Sequence, residues 1–536
     1  MFDDYRPNQF GHGRSAVICK HGAVATSQPL AAQGGLQILR DGGNAVDAAV
    51  ATAAILNVVE PMSTGIGGDA FMLVYLQKEK QLRGLNASGR SPYAAELDFF
   101  TKKGITHIPS TGSMYSVTVP GTIDGWSTLL DECGTMSLAE VLQPAINYAE
   151  NGFPVSPQIS LSWQDSARML SQHPDTARTY LSNGKAPLPG EIYLQPNIAK
   201  TFRLIAEGGR DVFYHGEIAE KIVQFSNEND GLFTLQDFAD HKSNWVKPIS
   251  TNYRGFDIYE IPPNGQGLAA LLALNIVEGY DIREMGHNSP EHIHFAVEAM
   301  KLAFADLYEN VTDPTFVDIP VTELLSREYT EKQRDRISSE RANIDPNAGL
   351  SPAGSDTVYL SVVDKDRNVV SFINSIFAGF GSGLVAGDTG IMLQNRGAGF
   401  SLNPTHANCI APHKRTLHTI IPGMIFDSET PLVSFGVMGG QMQPQGHLQF
   451  VSNLVDFNMD VQSALDAPRF RVIDGARIML EVGIPMNTQA ELAQKGHHIV
   501  PGSTFFGGGQ AIFINPLFDT LHAGSDPRRD GCAAGY

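Results

Sequence analysis

The segment DTVYLSVVDKDRNVVSFINSIFAGFGSG, residues 356–383, constrains the fold more than any other part of the chain. From Val358 to Val362 every second residue is Val or Leu, and a polar turn follows at 365–368, which predicts a β-strand with two distinct faces. A second β-rich run, residues 369–375, completes a predicted hairpin. The stretch before it, DPNAGLSPAGSD, is too polar to bury much surface. Thr357 therefore stands at the head of a strand, directly after a polar segment.

Thr357 becomes chemically unusual once the peptide bond before it is broken. A strand threonine is by itself more often structural, because its β-branch favours sheets. Cleavage would add an α-amine, with a reference pKa of roughly 7.7 to 8.0, that can act as the base for the weakly nucleophilic hydroxyl. Ser375 and the glycine-rich segments at 381–383 and 439–440 supply a hydroxyl and approachable backbone N–H groups. These residue types suit acyl transfer through an oxyanion.

Several separated blocks resemble the γ-glutamyltranspeptidase family of N-terminal-nucleophile hydrolases, in family order and over nearly the whole chain. The blocks are GAVATSQPLAAQGGLQILRDGGNAVDAAVATAAILNVVEPMSTGIGGDAFMLVY, VPGTIDGW, TVYLSVVDKDRNVVSF, FGSGLVAGDTGIMLQN, RTLHTIIPGM, MGGQMQPQGHLQF, DAPRF and SDPRRDGCAAGY. The resemblance implies an α+β fold, a four-layer αββα sandwich of the N-terminal-nucleophile hydrolase type.

The resemblance also implies a proenzyme that cuts itself between Asp356 and Thr357. Residues 1–356 would form the large subunit and residues 357–536 the small one, and the two would remain one intertwined αββα unit. Thr357 would be the nucleophile, forming an acyl-threonine ester that water or an amine opens.

Three further catalytic positions follow from the same resemblance. Ser375 stands where the family carries a second hydroxyl near the nucleophile. Gly439 and Gly440 match the paired glycines whose backbone N–H groups form the oxyanion hole.

The sequence departs from the family at the residues that would hold the substrate. Gly399 replaces an acidic residue, Arg396 a glutamine and Phe377 an asparagine, so contacts to a substrate ammonium are lost. His418 and Thr419 replace a serine pair that would bind a carboxylate. Arg396, His418 and Thr419 are therefore predicted substrate-binding residues of altered chemistry.

Arg90, in NASGRSP, is the predicted carboxylate-binding arginine, although its local pattern is offset from the transpeptidase form. An arginine fork suits a planar carboxylate because two parallel N–H groups can bind both oxygens.

Three functional hypotheses follow. The first is a self-processing hydrolase or acyltransferase for glutathione or similar γ-glutamyl amides. The second is an amidohydrolase of the same fold for other N-acyl groups that carry a carboxylate, of glutaryl or cephalosporin type. The third is an unprocessed, non-catalytic homologue that binds amino-acid derivatives. Hydrolysis is favoured over transpeptidation, because water needs no binding site.

Composition limits the partners. A formal net charge of −19 and a pI near 5.2 argue against nucleic acid and anionic membranes, because both need clustered cations. The expected partners are a small-molecule amide substrate and the chain's own cleaved subunits, with no cofactor or metal. Residues 45–59, the most apolar stretch, are too short to span a bilayer.

Four widely spaced cysteines and an N-terminus without a signal-peptide pattern predict a cytoplasmic protein. Four residues in a loosely spaced, proline-containing stretch offer metal-ligand atoms, but their spacing favours an irregular loop: His406, Cys409, His413 and His418. Asp69 in GIGGDAF and Asp364 are predicted to have solvated turn or cap roles. Residues 137–310 are predicted to be mostly helical.

Overall fold

The computed structural model describes residues 13–344, 357–502 and 506–536. Its strands are, in chain order, β1 Val17–Cys19, β2 Ala23–Thr26, β3 Asp69–Leu76, β4 Gln81–Ala87, β5 Phe153–Pro154, β6 Ile192–Tyr193, β7 Asn244–Val246, β8 Ile249–Tyr253, β9 Phe256–Glu260, β10 Val358–Val363, β11 Val369–Ser375, β12 Gly423–Asp427, β13 Thr430–Val437, β14 Phe470–Asp474, β15 Arg477–Leu480, β16 His498–Val500, β17 Gly509–Asn515, β18 Thr520–Ser525 and β19 Cys532–Gly535.

The helices are, in chain order, α1 Pro29–Arg40, α2 Ala45–Val59, α3 Leu97–Lys102, α4 Thr122–Cys133, α5 Leu138–Asn151, α6 Pro157–Leu170, α7 Pro174–Tyr180, α8 Pro196–Tyr214, α9 Glu217–Glu228, α10 Leu235–Ala239, α11 Gly267–Glu278, α12 Ile282–Met285, α13 Pro290–Asn310, α14 Val321–Leu324, α15 Arg327–Arg334, α16 Met442–Val455, α17 Val461–Asp466 and α18 Met486–Gln494. Two short 3₁₀ turns cover Met114–Ser116 and Arg396–Gly399.

Two seven-stranded sheets form the centre of the molecule. The first has the order β1-β18-β17-β13-β12-β9-β8 and the second β19-β2-β10-β11-β3-β4-β7. Neighbouring strands in both sheets are antiparallel. A three-stranded sheet, β14-β15-β16, and the pair β5-β6 lie outside them.

Helices cover the outer face of each sheet. Helices α1, α2, α4 and α5 share a core with the second sheet, while α11, α13, α16 and α17 share one with the first. Two smaller apolar clusters fill the space between the sheets. The predicted four-layer αββα sandwich is confirmed.

The predicted hairpin is confirmed as β10 and β11, which pair in register from Val358↔Asn374 to Val363↔Val369. The residues expected on one face, which begin with Val358, lie in the core beneath the helices. Tyr359 and Ser361 point the other way, between the sheets. Thr357 precedes β10 on this second face, so its side chain lies at the end of the layer between the sheets.

Helix α2 packs directly behind the hairpin. Every one of its residues is buried, and Asn44 caps its start by accepting the N–H groups of Val46 and Asp47. Asp364 accepts the N–H of Ala45 at 2.9 Å and that of Asp366 in the hairpin turn. Its predicted turn role is confirmed, but its carboxylate is buried rather than solvated. No helix of the described residues combines the length and hydropathy that a bilayer span requires.

The expectation of a mostly helical region at 137–310 needs one correction. Helices dominate it, but β7, β8 and β9 also fall within it; β7 and β8 are edge strands of the two central sheets, and β9 lies between β8 and β12. These strands are only three to five residues long, and only β8 alternates between exposed and more buried residues. β8 and β9 pair as a local hairpin, but β7 pairs with β4 and β9 with β12, so their places in the sheets depend on strands that are distant in the sequence.

Buried neutral histidines should make the fold sensitive to acid. His292 accepts the N–H of Asn288 through Nδ1 at 3.0 Å, and burial together with nearby His287 lowers its pKa to about 3. Unfolded His292 binds a proton near its ordinary pKa of 6.5. Its contribution to stability is therefore complete above that pH and is lost as the pH falls toward about 3.

The substitution His292→Gln keeps an acceptor for the Asn288 amide and removes the titration. We expect the drop in Tm between about pH 7.5 and 5.0 to be smaller in His292→Gln than in the wild type, by thermal unfolding at both pH values. An equal drop in the two proteins would show that His292 does not carry this sensitivity.

Candidate active site

Thr357 and Ser375 face each other across the β10–β11 ladder. Their hydroxyl oxygens are 3.2 Å apart, and both side chains are buried, with Thr357 only 1% exposed. Ser375 Oγ also accepts the N–H of Phe377 at 2.9 Å, which fixes the position of its hydroxyl. The predicted pair of nucleophile and second hydroxyl is therefore brought together by the hairpin register.

The alignment of β10 with β13 directs Thr357 toward the glycine pair. Ser361 Oγ donates to Ser434 Oγ on β13 at 2.7 Å, and a Cβ on Gly436 would overlap the ring of Tyr359. Ser361 thus faces Ser434, and Tyr359 faces Gly436. Moving two residues toward the start of β10 therefore corresponds to moving two residues toward the end of β13. The next step places Thr357 opposite Met438, which immediately precedes Gly439.

Gly439 and Gly440 form the turn from β13 into α16. Their φ angles are +112° and +60°, values that favour glycine at both positions. Neither backbone N–H donates a hydrogen bond to another described residue, and both lie at the positive end of the α16 dipole. The pair is therefore suited to bind a developing oxyanion.

Arg396 is a buried cation beside the two hydroxyls. Its Nη1 donates to Thr419 Oγ1 at 2.7 Å, its Nη2 lies 3.5 Å from Ser375 Oγ, and its guanidinium stacks 4.3 Å from the centre of the Phe377 ring. The side chain is 1% exposed and its Nε has no partner among the described residues. Burial lowers the pKa of Arg396 to about 9, and the charge of Asp69 opposes this effect.

No described carboxylate forms an ion pair with Arg396. A buried guanidinium without a carboxylate partner is costly, and it can bind a carboxylate through two parallel N–H groups. Among the predicted substrate-binding residues, Arg396 therefore lies beside Ser375, the hydroxyl partner of Thr357, and Thr419 holds Arg396.

Gln266 links the cation to the glycine pair, and sequence reasoning missed it. Its Nε2 donates to the carbonyl of Gly440 at 2.8 Å and also to the carbonyl of Thr419. Its backbone N–H binds the carbonyl of His418 at 3.0 Å. The sequence carries no local signal for this contact, because Gln266 lies more than 150 residues from the groups that it binds.

His418 does not point toward the hydroxyls. Its Nε2 donates to Asp69 at 3.0 Å, and its ring packs 4.7 Å from that of Phe71. Burial and the charge of Arg396 lower the pKa of His418 to about 4, so the imidazole is neutral near pH 7. The expectation of a solvated turn role for Asp69 is wrong, since this carboxylate is fully buried.

Arg90 lies in a neighbouring cluster. Its Nη1 binds Asp313 at 2.5 Å and the carbonyl of His413 at 3.1 Å. Asp313 also accepts the N–H of Arg415 at 2.9 Å. The predicted role of Arg90 in carboxylate binding stays a prediction, and the carboxylate that it binds within the chain is that of Asp313.

The departures at Phe377 and Gly399 border the site on its outer side. Phe377 is partly exposed and has a φ of +79°, a strained value for a bulky residue. Gly399 is exposed and ends the 3₁₀ turn that begins at Arg396. Gly439 is also partly exposed. The site can therefore be approached between these residues, whereas Asp356 lies outside the described residues.

Two surface cavities of about 850 and 640 Å³ lie elsewhere. The first is lined by charged groups that already bind one another, such as Arg254 and Asp456. The second lies along β6 and the start of α8. Neither cavity is lined by the residues around Thr357, so neither offers that set of catalytic groups.

Potential metal ligands converge at a place that the sequence did not indicate. Among the described residues, one group of three brings its ligand atoms within 4.8 Å: His294, Glu298 and His497. Lys301 already donates to Glu298 at 2.7 Å within this group, and its ammonium opposes a bound cation. In the loop considered in the sequence, Lys414 donates to the carbonyl of Cys409 at 2.9 Å, which places a cation there too.

Comparison with known proteins agrees with this geometry. The gamma-glutamyltranspeptidase family model matches residues 31–536. The glutathione hydrolase-like YwrD proenzyme of Bacillus subtilis is 41% identical over 529 residues, which cover 97% of this chain and 99% of that protein. The oxamate amidohydrolase proenzyme of Klebsiella pneumoniae is 34% identical over 535 residues, 97% of this chain and 100% of that protein.

The crystal structure of cephalosporin acylase from Bacillus halodurans has a TM-score of 0.92 to this chain and 43% sequence identity, and the match covers 100% of this chain and 99% of that one. The sequence matches and the structural match of this chain therefore indicate the same family. The chain is an N-terminal-nucleophile enzyme that belongs to the gamma-glutamyltranspeptidase family.

Proposed function

We propose that the chain is a self-processing amidohydrolase that prefers acyl groups ending in a carboxylate and does not require an α-ammonium. The main support for this proposal is the environment of Arg396, a buried cation without a carboxylate partner among the described residues. Its Nη2 lies 3.5 Å from the Ser375 hydroxyl, which in turn contacts Thr357. A substrate carboxylate would supply the missing negative charge. Glutaryl amides are the simplest acyl group of this class.

Processing would come first. The Thr357 hydroxyl would attack the carbonyl of the preceding residue, the peptide nitrogen would leave as the new α-amine, and water would hydrolyse the resulting ester. In the cut protein, that amine would take the proton of the Thr357 hydroxyl as it attacks a substrate amide. The N–H groups of Gly439 and Gly440 would bind the oxyanion. The leaving amine would take the proton, and water would release the acid from the acyl-threonine.

A γ-glutamyl amide such as glutathione is the second candidate substrate. The name of the B. subtilis relative, glutathione hydrolase-like, favours it. The site argues for the first candidate, because Gly399 offers no side chain to a substrate ammonium and Arg396 would repel one. The names of the K. pneumoniae and B. halodurans proteins also support acyl groups other than γ-glutamyl.

Self-processing can be tested by substituting the nucleophile. We expect wild-type protein on a denaturing gel to give two bands, and mass spectrometry to find Thr357 as a new amino terminus. Thr357→Ala should remain a single band near 58.0 kDa, because it has no hydroxyl. Thr357→Ser, the matched control, should be cut at least in part. A cut Thr357→Ala protein, or an active wild type that stays uncut, would contradict this role.

The carboxylate preference can be tested at Arg396. We define the acyl selectivity ratio as kcat/KM for a glutaryl anilide divided by kcat/KM for the pentanoyl anilide, which has the same length and no carboxylate. Arg396→Gln should lower this ratio about 100-fold, because a buried charged hydrogen bond is lost. Arg396→Lys should lower it less, since the charge remains. A ratio unchanged by Arg396→Gln would overturn the proposed function.

The missing ammonium anchor can be restored at Gly399. A Cβ there would lie 3.3 Å from Thr416 Oγ1, and the backbone is not in the left-handed region, so a side chain fits with a small adjustment. Gly399→Asp should raise the preference for γ-glutamyl over glutaryl anilide about tenfold in a competition assay. Gly399→Asn, which has the same shape without the charge, should not. Equal effects of the two would show that Gly399 does not face the substrate.

A further inference from the structure

Asp69 stands in line with the two catalytic hydroxyls. It pairs directly with Ser375 in the β3–β11 ladder, and Thr357 continues the β10–β11 register one position beyond Val358↔Asn374. Directly opposite residues of antiparallel strands point to the same face of a sheet. The side chains of Thr357, Ser375 and Asp69 therefore follow one another across three strands, on the face between the two sheets.

Four donors from four separate parts of the chain surround the Asp69 carboxylate. Its Oδ1 accepts the N–H groups of Gly89 at 3.0 Å and Gly121 at 3.3 Å, and Gln394 Nε2 at 3.0 Å. Its Oδ2 accepts His418 Nε2 at 3.0 Å. The side chain is 0% exposed, and both of its oxygens already accept hydrogen bonds from the protein. Any role of Asp69 in the reaction must act through its neighbours.

The main chain beside Asp69 leaves no room for a side chain at Gly89 or Gly121. A Cβ on Gly89 would overlap the carbonyl of Val119, and one on Gly121 would overlap the carbonyl of Ala87. These two glycines let the main chain come close enough to donate directly to the carboxylate. The surrounding structure is therefore built to hold a negative charge at this position.

The charges of Asp69 and Arg396 each favour the ionised form of the other residue, although the two side chains form no ion pair. Burial by itself raises the pKa of Asp69, but the hydrogen bond from His418 and the charge of Arg396 outweigh it, so this pKa lies below its ordinary value. The carboxylate in turn opposes the effect of burial on Arg396. Because the two groups form no ion pair, the guanidinium remains free to bind a second carboxylate.

A hydrogen-bonded path also connects the two residues. His418, held by Asp69, is followed by Thr419, whose hydroxyl accepts Arg396 Nη1 at 2.7 Å. The position of Arg396 over the catalytic hydroxyls thus depends on the segment that Asp69 holds.

We propose that Asp69 is a positioning residue for substrate selectivity: its buried charge stabilises Arg396 as a cation and fixes the His418–Thr419 segment, so that Arg396 can bind an anionic acyl group. This inference rests on the proposed function, because it concerns the same recognition of a carboxylate. It adds a residue that touches neither the substrate nor the reacting atoms.

A double-mutant cycle on the processed enzyme tests it, with the acyl selectivity ratio as the readout. Asp69→Asn keeps one oxygen for the Gly89, Gly121 and Gln394 donors and removes the charge. We expect Asp69→Asn to lower the ratio about tenfold in the wild type and less than about threefold in Arg396→Gln, because coupled residues give non-additive effects. Asp364→Asn, which neutralises a buried carboxylate at the turn of the neighbouring β10–β11 hairpin, is the matched control and should leave the ratio unchanged.

The outcomes separate the two proposals. If Arg396→Gln does not lower the ratio, the proposed function fails and this inference fails with it. If Arg396→Gln lowers the ratio and Asp69→Asn does not, or if their effects multiply in the double variant, only this inference fails. If Asp69→Asn does not fold, Asp69→Ser takes its place and its acyl selectivity ratio is interpreted in the same way. Failure of both to give folded protein would overturn the inference in favour of a purely structural role.

Discussion

The contact between β10 and β13 across the interior of the sandwich determines where the catalytic groups lie. The hydroxyl bond from Ser361 to Ser434 and the packing of Tyr359 on Gly436 set the alignment of the two strands. A slip of one residue would turn Thr357 toward the helices and away from Gly439. Because both strands are buried on both faces, such a slip would also misplace their whole apolar pattern. Burial of the sheets thus positions the nucleophile.

The charges around Arg396 add a second constraint to the one that strand packing imposes on the site. A guanidinium placed between sheets is costly unless negative groups compensate for it, and here the compensation is divided. Asp69 supplies a buried charge at a distance, and under the proposed function the substrate supplies the contacting one. The strained backbone at Phe377, whose ring covers Arg396 and whose N–H binds Ser375, belongs to the same arrangement. Under the proposed function, the site would select the acyl group through electrostatics, while the two hydroxyls and the glycine pair would provide the chemistry.

Local patterns in the sequence predicted the parts of this arrangement that depend on neighbouring residues. The alternation after Thr357 gave the strand and its faces, and the family resemblance gave the sandwich and the glycine pair. The role of Asp69 was misjudged, because a glycine-rich turn locally indicates a solvated aspartate, whereas its four donors come from segments up to 349 residues away. Gln266 was missed for the same reason. Arg90 and His418 show that a titratable residue can be recognised in the sequence while its partner cannot.

Under the proposed mechanism, Thr357 carries the acyl group during turnover. The most direct measurement is acid quenching of the enzyme during turnover of a glutaryl anilide, followed by peptide mass spectrometry. We expect a glutaryl ester on the peptide that begins with Thr357, and no such adduct in Thr357→Ala. A glutaryl group found on another residue, or steady turnover by Thr357→Ala, would contradict it.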